Sequence, residues 1–193
     1  SAILHLEVKN PWATAERAAL GLAEPAVQGV VFVRGPIAPR GPLAVDDFRP
    51  GSDVWFYPGL TPGATPVELT AAAHPGGPAD VREPAVSHDG TRIAFAMRRT
   101  ADDCHNLWEL GLDGRGLRQL TFDRCGPGLA RAVNRWPVYG PGDRLYFVSN
   151  RAGHADETGR ARDLELYRLD DDGGATRLTF TPTPEVNPSF LAT

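Results

Sequence analysis

Residues able to do chemistry are sparse in this chain, and they fall in a few short segments. Asp102, Asp103, Cys104 and His105 stand in a row, and Cys125 follows within DRCGPG. His74 lies upstream. His154, Asp156 and Glu157 belong to SNRAGHADETGRARD, and Asp46 and Asp47 to an earlier polar stretch. Thiols, imidazoles and carboxylates are the ligand set of zinc, but no compact Cys-x-x-Cys or His-x-x-x-His spacing supports a metal centre. The two cysteines fit one disulfide in an oxidising compartment and fit two buried thiols equally well. Three readings therefore stand side by side. The first is a Cys104–Cys125 disulfide among solvated loop histidines. The second is a metal ion held by some of these side chains. The third is a pair of free cysteines in loops that contact a partner.

Motifs of enzymatic chemistry are missing. The sequence has no Gly-x-Ser-x-Gly elbow, phosphate-binding loop, dinucleotide fingerprint or His-Glu-x-x-His pair. Its serines are Ser1, Ser52, Ser87, Ser149 and Ser189. Ser87 and Ser189 occupy repeated positions that structure explains, so no catalytic residue is assigned and no cofactor is expected. The run Asp170, Asp171, Asp172 has the composition of a calcium site, but it stands where another part of the chain has a turn. The net charge of −4 is spread over interspersed acidic and basic residues, which argues against a nucleic-acid surface. No apolar run is long enough to cross a membrane as a helix, and no signal peptide is recognisable.

The elements that must position these residues follow from an internal repeat. The segments REPAVSHDG, TRIAFAMRR, NLWELGLDG and RQLTF (82–122) are echoed by NRWPVYGPG, DRLYFVSNR, ELYRLDDDGG and TRLTF (134–180). A degraded earlier copy reads GVVFVRG, SDVWFYPGLTPG and PVELT, and EVNPSF (185–190) starts one more unit. Phe32, Phe95 and Phe147 share one position, and Trp55, Trp108 and Tyr167 another. Leu69-Thr70, Leu120-Thr121 and Leu178-Thr179 close each unit, while Pro84, Pro137 and Pro188 open the next. The Leu-Thr pairs recur every roughly 50 to 60 residues, the length of four short strands with one enlarged loop. The run from Arg92 to Met97 is nearly all apolar, as in a strand packed on both faces. Asp89-Gly90 and Asp113-Gly114 supply tight hairpin turns.

The order Pro84, Ser87, Asp89-Gly90, Phe95, Trp108, Asp113-Gly114, Leu120-Thr121 resembles the propeller repeat of TolB and its WD-like relatives. The third copy departs from it at Gly140 and Pro141, and the first has no recognisable opening strand. The resemblance implies an all-β fold, a partial β-propeller of four-stranded antiparallel blades: three blades over 29–193 plus the start of a fourth. Residues 1–28 fall outside the repeat. Ile3 to Val8 reads as a strand, and Asn10-Pro11 opens an Ala-rich helix from Trp12 to Leu22, together a cap or connector. In a propeller the loop between second and third strands and the loop between blades emerge on one face. That places His74, Asp102, Asp103, His105, His154 and Asp156 as the ligand-contacting set on that face, with Cys104 and Cys125 close enough to bond. The implied function is a non-enzymatic, periplasmic or secreted binding or scaffold module for a protein segment or small ligand. The alternative is a propeller fragment of a larger enzyme, a peptidase or a hydrazine-synthase-like redox complex. Three to four blades do not close a ring, so exposed strand edges invite self-association.

Overall fold

The structure is a computed structural model, described here for residues 29–36, 47–59, 62–126, 131–159 and 163–190. The strand and helix expected within 1–28 lie outside the described residues.

Three antiparallel sheets account for nearly all regular structure. Blade 1 contains β1 (Gly29–Arg34), β2 (Asp53–Pro58) and β3 (Val67–Glu68). Blade 2 contains β4 (Asp80–Val86), β5 (Arg92–Arg98), β6 (Asn106–Gly111) and β7 (Arg118–Gln119). Blade 3 contains β8 (Asn134–Tyr139), β9 (Leu145–Ser149), β10 (Glu165–Leu169) and β11 (Ala175–Arg177). Within each sheet, consecutive strands are neighbours. The fold is all-β, a partial propeller, and its inner strands β4 and β8 pack beside each other.

The repeated residues fall in register. Phe32 faces Trp55, Phe95 faces Trp108 and Phe147 faces Tyr167 across the same strand pair of each blade. The Leu-Thr pairs act alike too. The amides of Leu69, Leu120 and Leu178 donate to the carbonyls of Val54, Leu107 and Leu166 at 2.8 to 2.9 Å. The following threonine hydroxyl accepts the amide of that same residue, at 2.9 Å in every blade. A small side chain carrying an acceptor thus closes each blade where the outer strand runs out, which is why the pair recurs.

Strand β5 shows why the run 92–97 is apolar throughout. Side chains alternate across a strand, so Ile93, Phe95 and Met97 enter one core with Val54, Val81 and Leu110, while Ala94 and Ala96 enter another with Leu107, Leu145, Phe147 and Tyr167. The first core joins blades 1 and 2, the second blades 2 and 3. Phe95 and Phe147 are fully buried, whereas Phe32 is only half-buried. Among the described residues no strand stands inside β1 as β4 and β8 stand inside β5 and β9.

The prolines that open the repeat mark a bulge. The register of β4 on β5 shifts between Arg82 and Ala85, and that of β8 on β9 between Arg135 and Val138. Proline has no amide to offer a ladder and is confined to such places. The residue before it has positive φ in all three copies: 53° at Glu83, 50° at Trp136 and 51° at Asn187. Such values are uncommon away from glycine, and their recurrence shows that the bulge belongs to the repeat.

Candidate functional site on the loop-bearing rim

Each predicted site residue sits near the entry of β2, β6 or β10, the equivalent strands of the three blades. Asp53, Asn106 and Glu165 are equivalent there. In blade 1, His74 places Nε2 2.6 Å from Asp53 Oδ1 and Nδ1 3.0 Å from the Gly77 carbonyl. In blade 2, His105 immediately precedes Asn106, and its carbonyl accepts the Asn134 amide at 3.0 Å. In blade 3, His154 is exposed, with Nδ1 3.4 Å from Glu165 Oε1 and 3.0 Å from Arg177 Nη1. The three histidines are therefore distributed one to a blade. Among the described residues no group of three or more His, Cys, Asp or Glu side chains is arranged to hold a metal ion.

The carboxylates of the set shape their own loops. Asp103 Oδ2 accepts the Thr100 amide at 3.0 Å, and Asp156 Oδ1 accepts the Thr158 amide at 3.0 Å and its hydroxyl at 2.7 Å. Asp102 and Asp103 are exposed, and Asp156 is partly buried. Asp46 lies outside the described residues. On the opposite rim, Asp172 Oδ1 accepts the Gly174 amide at 2.9 Å and Asp170 engages Arg168 and Thr176, so this acidic run is a hairpin turn.

Cys104 and Cys125 are bonded, with Cα atoms 5.3 Å apart and a sequence separation of 21. The bond ties the long loop of blade 2 to the connection leading into blade 3. Next to it, His105 forms a parallel bridge with Val133 at the start of blade 3.

Behind these loops lies a buried polar network that the sequence did not announce. Asp80 is fully buried. It accepts Arg82 Nε at 2.6 Å and the Arg49 amide at 2.8 Å. Burial alone would raise its pKa, but His105 together with these donors outweighs it and holds the carboxyl well below the usual range. Arg82 also reaches the Asp47 carbonyl at 2.6 Å. His105 Nε2 is 3.6 Å from Asp80 Oδ2, beyond hydrogen-bond distance, and among the described residues both buried ring nitrogens lack a hydrogen-bond partner. Burial depresses the imidazole pKa. Asp80 opposes that shift, while Arg135 and Arg82 reinforce it.

Towards the propeller axis, the bulges of successive inner strands meet. Arg135 Nε donates to Glu83 Oε2 at 2.7 Å, and the Trp136 amide donates to the same oxygen at 2.9 Å. The Arg135 guanidinium lies 4.9 Å from the Trp136 ring centre. Glu83, Pro84, Trp136, Pro137, Asn187 and Pro188 line a hollow of about 410 Å3. The repeated prolines were the only sequence signal for this wall, and they revealed the bulge but not the ion pair.

Three meandering sheets with equivalent cross-strand aromatics, repeated closing threonines and repeated bulges define a β-propeller-like repeat protein. No family model matches the chain, and no curated protein does. Its fold is similar to that of hydrazine synthase from Kuenenia stuttgartiensis, with a TM-score of 0.58 and 18% identity over 82% of this chain. The match spans 26% of the length of that protein.

Proposed function

We propose that the chain is a TolB-like propeller module without its own catalysis, and that its loop-bearing rim binds a protein segment or small ligand. The observation that carries this reading is the rim's construction. The Cys104–Cys125 bond and the pairing of His105 with Val133 fix long loops onto a β frame, and loops on a rigid frame are where binding surfaces concentrate. Asp102, Asp103 and His154 are exposed enough to touch a partner, with Asp156 beside them. His74 and His105 position the loops from behind. The disulfide supports a periplasmic or secreted location.

The test uses a display library of linear peptides. Peptides enriched on the protein should lose binding when Asp102→Arg, Asp103→Arg and His154→Glu are combined, and keep it when Asp113→Arg and Asp172→Arg are combined. The reverse pattern would place the binding surface on the hairpin rim and overturn the assignment.

A second reading has its own observation. Likeness in fold to about a quarter of a hydrazine synthase chain favours a module within a larger redox assembly, where the propeller docks neighbouring parts. The intact mass of the protein isolated from its native source would separate the two, since a module of a longer polypeptide carries further domains.

A further inference from the structure

The connection from blade 1 to blade 2 is fastened by an imidazole with an acceptor at each end. It leaves the closing pair Leu69-Thr70, passes through a 3-10 turn (Ala71–Ala73) and reaches β4 at Asp80. His74 ends the turn. Its Nδ1 lies 3.0 Å from the Gly77 carbonyl, and its Nε2 lies 2.6 Å from Asp53 Oδ1 at the entry of β2. A carbonyl and an ionised carboxylate only accept hydrogen bonds. Both contacts are therefore made only when two protons are present, one on Nδ1 and one between Nε2 and Oδ1. A neutral imidazole carries a single one. The Thr70 hydroxyl donates to the same Asp53 oxygen at 2.8 Å, while its own oxygen accepts the Val54 amide at 2.9 Å. Asp53 is thus an acceptor from two sides, which puts the second proton on His74.

Blade 2 does the same job without a proton. Asn106, the equivalent of Asp53, accepts the Thr121 hydroxyl at 2.9 Å and the Asp123 amide at 3.1 Å on Oδ1. Its Nδ2 donates to the Asp123 carbonyl at 3.1 Å. An amide offers donor and acceptor at every ordinary pH. Blade 1 has an ionisable pair where blade 2 has a permanent dipole.

Among the described residues, two charged side chains meet this connection. Asp53 comes from β2, and it and His74 are mostly buried, at 17% and 11% exposure of their side chains. Arg99 follows β5, donates to the Ala73 carbonyl at 2.9 Å and lies 4.3 Å from the Trp108 ring centre. Ala73 itself enters the core shared by blades 1 and 2. The turn at 71–73 is therefore anchored whatever the pH. The segment that answers to protons is 74–77, together with its tie to β2.

We propose that His74 is a proton-operated latch on the connection between blades 1 and 2. Protonated, it fastens the 74–77 turn to the entry of β2. On losing a proton to solvent it turns a lone pair towards one of its two acceptors, and that end comes undone. The latch is local and independent of what the rim binds, so it is read at its own amides.

Hydrogen exchange followed residue by residue on the natural protein tests it. The Gly77 amide donates to the His74 carbonyl at 3.2 Å and reports on the turn. Its protection factor should fall by about tenfold from pH 5 to pH 8, the weight of one hydrogen bond to a charged group. The Ala73 amide, 2.8 Å from the Thr70 carbonyl, and the Val81 amide, 2.8 Å from Ser52 Oγ, should keep theirs. In Asp53→Asn the new amide supplies a donor to Nε2, a neutral imidazole satisfies both ends, and Gly77 protection should not change with pH. Nitrogen-15 spectra of the His74 ring in the natural protein should show protons on both nitrogens at pH 5 and on one at pH 8. A Gly77 amide equally protected at both pH values would overturn the proposal. So would an Asp53→Asn variant that follows the natural protein, or a ring that carries one proton throughout. The ring spectra need no variant, so they decide the matter even if Asp53→Asn fails to fold.

Discussion

The junction between blades 1 and 2 and the junction between blades 2 and 3 use the same positions with opposite chemistry. At the hairpin end of the second junction, Tyr139 of blade 3 lies 5.5 Å beneath the Arg92 guanidinium and donates its hydroxyl to Glu109 Oε2 at 2.7 Å. Burial, reinforced by Glu109, keeps that phenol protonated far above its ordinary range. In the first junction the equivalents of Tyr139, Arg92 and Glu109 are Val86, Gly29 and Phe56, and a hollow of about 310 Å3 remains. At the loop end both junctions are polar. The first holds the Asp47, Asp80 and Arg82 network, and the second adds a covalent bond to the hydrogen bonds of Asn134 with His105 and Asp123. A propeller repeat therefore fixes where blades touch, through the Phe and Leu-Thr positions, and leaves open what fills the contact.

The largest effect should come from the element both junctions share. Phe95→Ala and Phe147→Ala each remove a fully buried ring and should cost about 3–5 kcal/mol in chemical denaturation. Phe32→Ala should cost clearly less, because its ring is half-buried. Equal losses at all three would mean that the face of blade 1 is covered in solution. Next in size is the covalent staple. Replacing both Cys104 and Cys125 with serine should lower stability by about 3 kcal/mol, the chain-entropy value for a loop of this length. The loss should appear first as faster hydrogen exchange around His105 and Val133, while the blade 1–2 core keeps its protection.

A smaller effect distinguishes the junctions by pH. His105 is held neutral in the folded chain, with its pKa depressed below the ordinary imidazole value. Unfolded, it takes up a proton as pH falls through about 6.5. Between that pH and the lower folded value the unfolded chain binds more protons, so folding stability is complete above neutrality and declines as pH drops. The carboxylates of the network act in a separate window. Asp80 and Asp47 are depressed when folded, so their contribution is lost only below the usual carboxylate range of about 4. Urea midpoints between pH 7.5 and 5 should therefore fall for the natural protein and flatten for His105→Gln. An unchanged slope in that variant would assign the decline to other groups.

How much of this was legible in the sequence depended on distance along the chain. Phe95, Trp108 and Leu120-Thr121 announce themselves because each does a local job that requires its residue type, and the job recurs. The closeness of Cys104 and Cys125 followed from the propeller resemblance, which puts both loops on one rim, while their bonding stayed one of three readings. The Asp80–Arg82–His105 cluster and the Glu83–Arg135 pair were not legible. Glu83 and Arg135 come from different blades and His105 meets Asp80 from two strands away in the same sheet, without periodicity, and Arg82, Glu83 and Arg135 look like ordinary solvated charges in strands of mixed composition. Trp136 was equally silent, because positive φ in a residue other than glycine leaves no compositional mark. The histidines are expected on loops of one rim, and each meets a carboxylate of its own blade: His74 with Asp53, His105 with Asp80 and His154 with Glu165.

The finest test of the comparison is to convert one junction towards the other. Val86→Tyr places at the first junction the side chain that fills the second. Its ring would enter the hollow lined by Val31, Phe56 and Leu112 and exclude water from their apolar surface. Cavity-filling changes of this kind commonly gain about 0.5–2 kcal/mol. The gain here should lie at the low end, because Phe56 stands where Glu109 accepts the Tyr139 hydroxyl and Gly29 stands where Arg92 covers its ring. With no acceptor beneath it, the new hydroxyl must turn to the rim near His88, so Val86→Phe should do as well as Val86→Tyr. At the second junction the same pair of residues should differ. Tyr139→Phe removes the hydrogen bond to Glu109 Oε2, leaving that oxygen only the Arg92 guanidinium at 3.6 Å, and should cost about 1 kcal/mol, the net worth of a typical hydrogen bond. Thermal midpoints of the three variants decide the matter. A hydroxyl that matters at 139 and not at 86 would show that the junctions share geometry and differ in polarity. A Val86→Tyr variant destabilised by more than about 1 kcal/mol, the sign of overpacking, would show that the two junctions differ in shape as well.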